Sequence, residues 1–461
     1  MTKLSRRNAL KGMVLGGSLA AFGGMQTVGR LMDAQAEPEP ERAVPERHYI
    51  FCYFQGGWDI LLSLDPRDPR KFGPSNMSTT RIQPAYDLLS FDGDPLSGPT
   101  EALTFGPFMG ELNQRKHLER MTVIRGMSMD TLTHDVGRRR FITGRPPSGL
   151  KARGSSADAW LAATLSKDEP LPNLSVRAES FNDDLPNFAS AVRSNSSDDL
   201  LRVLSNGSVQ MSSEQERQLD ALLSQSSACS QAQQSKMMRD SELSRSRVRE
   251  MLDKRLDSLF DFRQRTPEME AIRDQFGIRL GQTSGPNVQA AIAAIAITNQ
   301  VSRCVSISIT DNLDTHFDNW TTDQGPRQMA GFNSVAAIAD HLAQLPYKGD
   351  PTSGDSWLDH TTIIGFSEFS RTPMLNGTTG RDHWLNNACF LMGGGIKGNQ
   401  VIGASSDFGM YPQPVNLKTG ELDESGEVVR PEHILRALYD EVGIEEEAPD
   451  LRVDALSSLL K

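Results

Sequence analysis

The residues of this chain best suited to chemistry are acids and histidines gathered at the ends of apolar runs. In "SITDNLDTHFDNW", Ser308–Trp320, a β-branched run gives way to Asp311, Asp314, His316 and Asp318. Asp59 closes "QGGWD", His134 sits in "LTHDVGRRRFITG", Glu368 in "GFSEFSRTP", and Asp382 with His383 in "GRDHW". A mixed Asp, Glu and His set suits one or two divalent cations, with zinc, manganese, iron and magnesium all admissible. Side chains repeat every two residues in extended chain, so Asp314 and His316 face one way.

Five short apolar runs position these groups. They are "HYIFCYFQGGWD" from His48, "MTVIRGMSM" (Met121–Met129), "VSRCVSISI" (Val301–Ile309), "HTTIIGFSEF" (His360–Phe369) and "NACFLMGGG" (Asn387–Gly395). Each has the length and composition of a buried strand. Helical patterns lie between them, notably "GPNVQAAIAAIAITNQ" from Gly285, opened by Pro286, and "MAGFNSVAAIADHLAQL" from Met329. Strands alternating with helices predict an α/β fold with a mostly parallel sheet, whose ligands sit beyond the carboxyl ends of the strands. Residues of about 195–270 break the alternation: they are rich in Ser, Gln, Arg and Glu with Leu and Met at helical spacing, and read as a helical insertion forming a solvated hairpin.

The amino terminus sets the compartment. Arg6 and Arg7 precede the glycine-rich run "MVLGGSLAAFGGM", and "AQA" (34–36) offers small residues for cleavage. This pattern resembles the twin-arginine export signal, with Ala9 where a bulkier residue is usual, and implies a periplasmic or secreted protein. Residues 1–36 are then the signal, 37–47 a polar linker and 48–461 the mature domain, with no transmembrane span expected in it. Whole-chain charge is −11, from 59 acidic and 48 basic residues. Removing residues 1–36 takes five basic residues and Asp33, leaving 58 acidic against 43 basic, a charge of −15. Such a balance argues against nucleic acid as a partner. Four widely spaced cysteines with no CxxC pair indicate neither a zinc ribbon nor a dense disulfide framework.

The order "FQGGWD", a histidine before "FITG", "LDTHFDNW", "SEFSRTP" and "GRDHW" resembles the DUF1501 family of the alkaline phosphatase and sulfatase clan, from about His48 to Gly403. The resemblance implies an alkaline-phosphatase-like, doubly wound core with helices on both faces, holding two metals or a single calcium. It places Asp59 and Glu368 as ligands of one metal, and Asp314, His316 and His383 of the other. Asp382 either orients His383 or ligates in its own right. Arg138 and Arg371 are the first candidates to clamp the non-bridging oxygens of a phosphate or sulfate ester, with Arg139, Arg140 and Arg381 behind them. Counting ten residues back from Gly144 places His134 where the clan carries its nucleophile, so that His134, as ligand or nucleophile, or neighbouring Thr133 takes that role. Phe369 stands after Glu368 where the clan commonly has a histidine. The expectation is a metal-dependent hydrolase acting on a small-molecule or glycan ester. The alternative is a non-catalytic exported protein that keeps the metal cage and works with a DUF1800 protein.

Overall fold

A computed structural model describes residues 44–98, 103–166, 168–204, 212–226, 235, 238–239, 256–310, 312–445 and 449–461. The export signal and most of the linker, Asp311, Cys229 and much of the expected helical insertion lie outside these residues. Pro45–Lys461 form one compact unit.

The strands are β1 (His48–Tyr53), β2 (Met121–Ser128), β3 (Asn173–Val176), β4 (Val192–Ser194), β5 (Cys304–Ser308), β6 (Thr361–Phe366), β7 (Ser370–Arg371), β8 (His383–Trp384), β9 (Asn386–Gly393) and β10 (Gln400–Ile402). Among the described residues, eight form one sheet in the order β10-β2-β9-β6-β1-β5-β3-β4, while β7 and β8 pair as a separate ribbon. β9 runs antiparallel to both β2 and β6, and the other pairings in the sheet are parallel. All five apolar runs supply strands. The run from Val301 narrows to β5 because Val301 is tied back to the preceding helix through Ala296 O.

The helices are α1 (His134–Thr143), α2 (Ala157–Leu165), α3 (Ser197–Leu204), α4 (Ser213–Ser226), α5 (Pro267–Phe276), α6 (Pro286–Thr298), α7 (Gly325–Gln344) and α8 (Pro431–Glu441). Proline at the first turn starts α5, α6 and α8, where a missing N–H costs nothing. Of the expected insertion, α3, α4, a 3-10 turn at Leu256–Phe260 and α5 are described, and a cap from Thr266 to Met269 N fixes the start of α5.

β1 shows why both faces are covered. Ile50, Cys52 and Phe54 enter a core shared with α6 and α7, whereas Tyr49, Phe51 and Tyr53 enter a second core shared with α2 and α8. A strand that buries both alternating sets must lie between two helical layers. The result is a mixed α/β fold with a large, mostly parallel sheet. Among the described residues no helix is long and apolar enough to cross a membrane.

This topology collects the chemistry at one edge. β6, β1 and β5 are adjacent and parallel, so the residues after each emerge side by side. β9 runs the other way, so the residues before it, His383 among them, reach the same edge.

Candidate metal centre

Two glycines let the pieces meet. Gly56, at φ +109°, donates its N–H to Glu368 Oε1 at 2.9 Å, and a Cβ on it would stand 2.4 Å from Leu313 N. Gly137 lets α1 rest on the end of β6, since a Cβ there would lie 2.3 Å from Glu368 O. α1 therefore delivers His134, its first residue, to the sheet edge.

His134, Asp314 and His383 each offer a ligand atom within 4.8 Å of the others. His134 Nε2 lies 3.5 Å from Asp314 Oδ2, and His383 Nε2 lies 3.5 Å from Asp314 Oδ1. His316 joins them, its Nε2 standing 3.0 Å from Asp314 Oδ1 and 2.9 Å from His383 Nε2. All four side chains are partly exposed.

The other nitrogen of each ring is occupied. His134 Nδ1 lies 2.6 Å from Glu368 Oε1, His316 Nδ1 2.9 Å from Asp382 Oδ1, and His383 Nδ1 2.7 Å from the Leu132 carbonyl. Carbonyl and carboxylate oxygens accept, so the hydrogen of each neutral imidazole belongs on Nδ1 and the Nε2 lone pair turns inward. Lone pairs of His316 and His383 then face each other beside a carboxylate oxygen. Arg371 Nη1, 3.3 Å from His316 Nε2, relieves this only in part. A cation relieves it fully, and rings fixed through Nδ1 are the usual support of a metal site. With bonds of about 2.1 Å, ligand atoms lie about 3.4 Å apart in a tetrahedral centre and about 3.0 Å apart in an octahedral one. The separations of the three rings from Asp314, 3.0–3.5 Å, lie near that interval, with His134, Asp314 and His383 as the compact triad and His316 beside it.

Arg371 is a structural tie. Its guanidinium is buried and donates to Gly57 O at 2.9 Å, Arg381 O and Leu313 O at 3.1 Å, Asp314 Oδ1 at 2.7 Å, and also Gly56 O. The turns after β1 and β5 and the segment before β8 are thereby tied to one planar group. Burial pushes the Asp314 carboxyl up, but Arg371, through hydrogen bond and charge, together with His134 and His316, outweighs it and holds Asp314 below 3.8. Burial pushes His383 below 6.5, reinforced by Arg371 and His134 and opposed by the Leu132 carbonyl. Both shifts disfavour protonation in the folded state. The depressed histidine makes the fold less stable as pH falls below about 6.5, and the depressed aspartate withdraws its contribution as pH falls through its folded value, below 3.8. Metal-free protein is therefore expected to lose thermal stability steadily from pH 7 to pH 4, and a scan of Tm against pH checks the sign.

Asp59 stands apart from the cluster. Its Oδ2 lies 2.9 Å from Arg381 Nε and accepts from Trp320 Nε1 at 2.9 Å, while Oδ1 accepts from Leu61 N at 3.1 Å. Asp59 and Arg381 are fully buried. The Arg381 Nε–H does not point along the line to Oδ2, so charge pairing dominates over a linear hydrogen bond. Arg381 also caps the carbonyls of Thr372 and Gln83 at 2.8 and 2.6 Å, and its guanidinium lies 4.7 Å from the centre of the Trp320 ring. The carboxylate expected on a metal is thus taken up by a buried ion pair.

The remaining expected residues fall as follows. Glu368, fully buried, serves His134 from behind. Asp382 serves His316 rather than its neighbour His383. Arg138 and Arg139 converge on Glu179 at 2.8 and 2.9 Å, with Asp135 also on Arg138, and Arg140 pairs with Glu432 at 2.8 Å. Thr133 is exposed at the head of α1 and makes no side-chain cap. Sequence reasoning missed Trp320 and the Leu132 carbonyl, for which no spacing or motif gives a signal. Replacing Asp382 with Asn removes the negative partner of His316 and should weaken metal affinity by about 10–100-fold, measurable by competitive chelation.

A family model described as "Protein of unknown function (DUF1501)" matches residues 47–423, and the chain belongs to this family. Curated proteins yield no match. Among solved structures, "Crystal structure of Ps i-CgsB in complex with k-i-k-neocarrahexaose" aligns with a TM-score of 0.37 at 8% identity, over 90% of this chain and 75% of that one.

Proposed function

We propose that this DUF1501 protein is an exported metal-dependent hydrolase with an alkaline-phosphatase-like, doubly wound core, acting on an ester through one divalent cation. His134, His316, His383 and Asp314 would hold the cation. The observation that carries this reading is the set of Nε2 lone pairs turned toward Asp314, each ring locked by an acceptor on Nδ1. Three imidazoles and one carboxylate favour zinc, iron or manganese over magnesium or calcium, which prefer all-oxygen sets. When bound, such a cation lowers the pKa of a water and polarises an ester oxygen.

The chain's own residues do the positioning. Glu368 fixes His134, Asp382 fixes His316, the Leu132 carbonyl fixes His383, and Arg371 holds Asp314 against the loop after β5. Thr133 adds an exposed hydroxyl beside His134. Substrates are small-molecule or glycan esters reached from solvent outside the cytoplasm, after export by the twin-arginine route.

A second reading, a non-catalytic metal-caged protein docking a DUF1800 partner, is favoured by one feature. His134 stands at the clan's nucleophile position, engaged with Glu368. Turnover of an aryl ester panel by zinc-, manganese- and iron-loaded protein decides between them. Activity lost in Asp314→Ala supports the hydrolase. A fully loaded protein inert on the whole panel refutes it and leaves the binding role.

A further inference from the structure

We infer that the centre selects uncharged carboxylic esters and turns away phosphate and sulfate monoesters; this rests on the hydrolase reading above. A monoester dianion needs cations placed to meet its oxygens. Among the described residues, the arginines expected in that role are already spent. Arg371 is buried on carbonyls and Asp314, Arg381 is buried on Asp59, and Arg138 and Arg139 share Glu179. The formal charges of a divalent cation and Arg371 cancel against those of Asp314, Glu368 and Asp382. A centre whose formal charges cancel, with Asp135 beside it paired to Arg138, gives a dianion no net attraction.

The other surroundings suit a neutral acyl group. Leu132, whose carbonyl holds His383, and Phe317, next to His316, are apolar and exposed at 45% and 63%. α1 opens at the cluster, and the partial positive charge of its first turn matches the single negative charge that develops on a carbonyl oxygen under attack. Hydrolysis joins a water oxygen to the acyl carbon and breaks the bond from that carbon to the alkoxy oxygen. One water proton goes to the departing alcohol, and the other is released to solvent with the carboxylate.

The test uses cobalt-loaded mature protein and its visible absorption, with acetohydroxamic acid and, as the multiply charged probes, inorganic phosphate and sulfate. Acetohydroxamic acid is uncharged in solution and bound as a monoanion after one proton passes to solvent, standing for the single charge on an attacked ester carbonyl. Acetohydroxamic acid is expected to shift the band, while phosphate and sulfate leave it unchanged at tenfold higher concentration. Leu132→Arg should then bring phosphate binding up at least tenfold. A wild-type band shifted by phosphate or sulfate as readily as by the hydroxamic acid overturns the inference, and so does a band that no probe moves. A turnover arm with zinc-loaded protein separates this inference from the reading beneath it. Cleavage of 4-nitrophenyl acetate but not of the phosphate or sulfate supports both. Cleavage of either anionic ester alone overturns the inference and leaves the hydrolase standing. Cleavage of none, with the hydroxamic acid still shifting the band, refutes the hydrolase and upholds the preference for neutral ligands.

Discussion

Asp59→Ala is expected to destabilise the fold by about 3–5 kcal/mol, because it strands Arg381 in a fully buried site. The carboxylate and the guanidinium are both fully buried, and Trp320 Nε1 loses its acceptor as well. Burial holds the Asp59 carboxyl above 3.8 in spite of Arg381, so the pair is costly to bury and costlier still to break. The double replacement Asp59→Leu with Arg381→Met removes both charges and should recover a large part of the loss. Denaturant midpoints for the two single variants and the double variant form the check. A single variant as stable as wild type would mean that Asp59 is free for another task, such as metal ligation.

Asp314→Ala acts on the other side of the site and should have the opposite profile. It removes the group that three imidazoles face, while Arg371 keeps its bonds to the carbonyls of Gly56, Gly57, Leu313 and Arg381. Cation retention is expected to disappear, with a smaller loss of stability than Asp59→Ala causes, because Asp314 is partly exposed and its removal admits solvent to Arg371. His383→Ala should follow it, with an affinity loss larger than the roughly 100-fold upper value for an orienting residue such as Asp382. Metal content together with the far-ultraviolet circular dichroism of each variant separates loss of ligand from loss of fold. Retention of metal by Asp314→Ala would remove the carboxylate from the site.

Much of this arrangement is legible in the sequence, for identifiable reasons. Strand runs betray themselves by length and β-branching, α6 by periodicity and proline at its first turn, and α7 by periodicity from Met329, four residues inside its start at Gly325. The two-residue repeat correctly groups Asp314 with His316. The short strands β3, β4 and β10 carry too few residues for a pattern to stand out. Nothing in "NACFLMGGG" declares that β9 runs against its neighbours, yet that reversal brings His383 to the edge where Asp314 waits. Pairings between distant segments are the least visible. Asp59 and Glu368 look equivalent as acids after strands, but one meets an arginine more than 300 residues away and the other meets an imidazole. Arg138 and Arg371 likewise look like free clamps until Glu179 and the strand-end carbonyls are seen around them.

The most direct test of the account is elemental analysis of untagged protein beside the Asp314→Ala/His383→Ala double variant, after equilibration with zinc, manganese and iron. One equivalent of cation in the wild type and none in the variant is the predicted result. No cation in the wild type would mean that the imidazoles share a proton instead, and cation retained by the variant would place the site elsewhere; either contradicts the assignment.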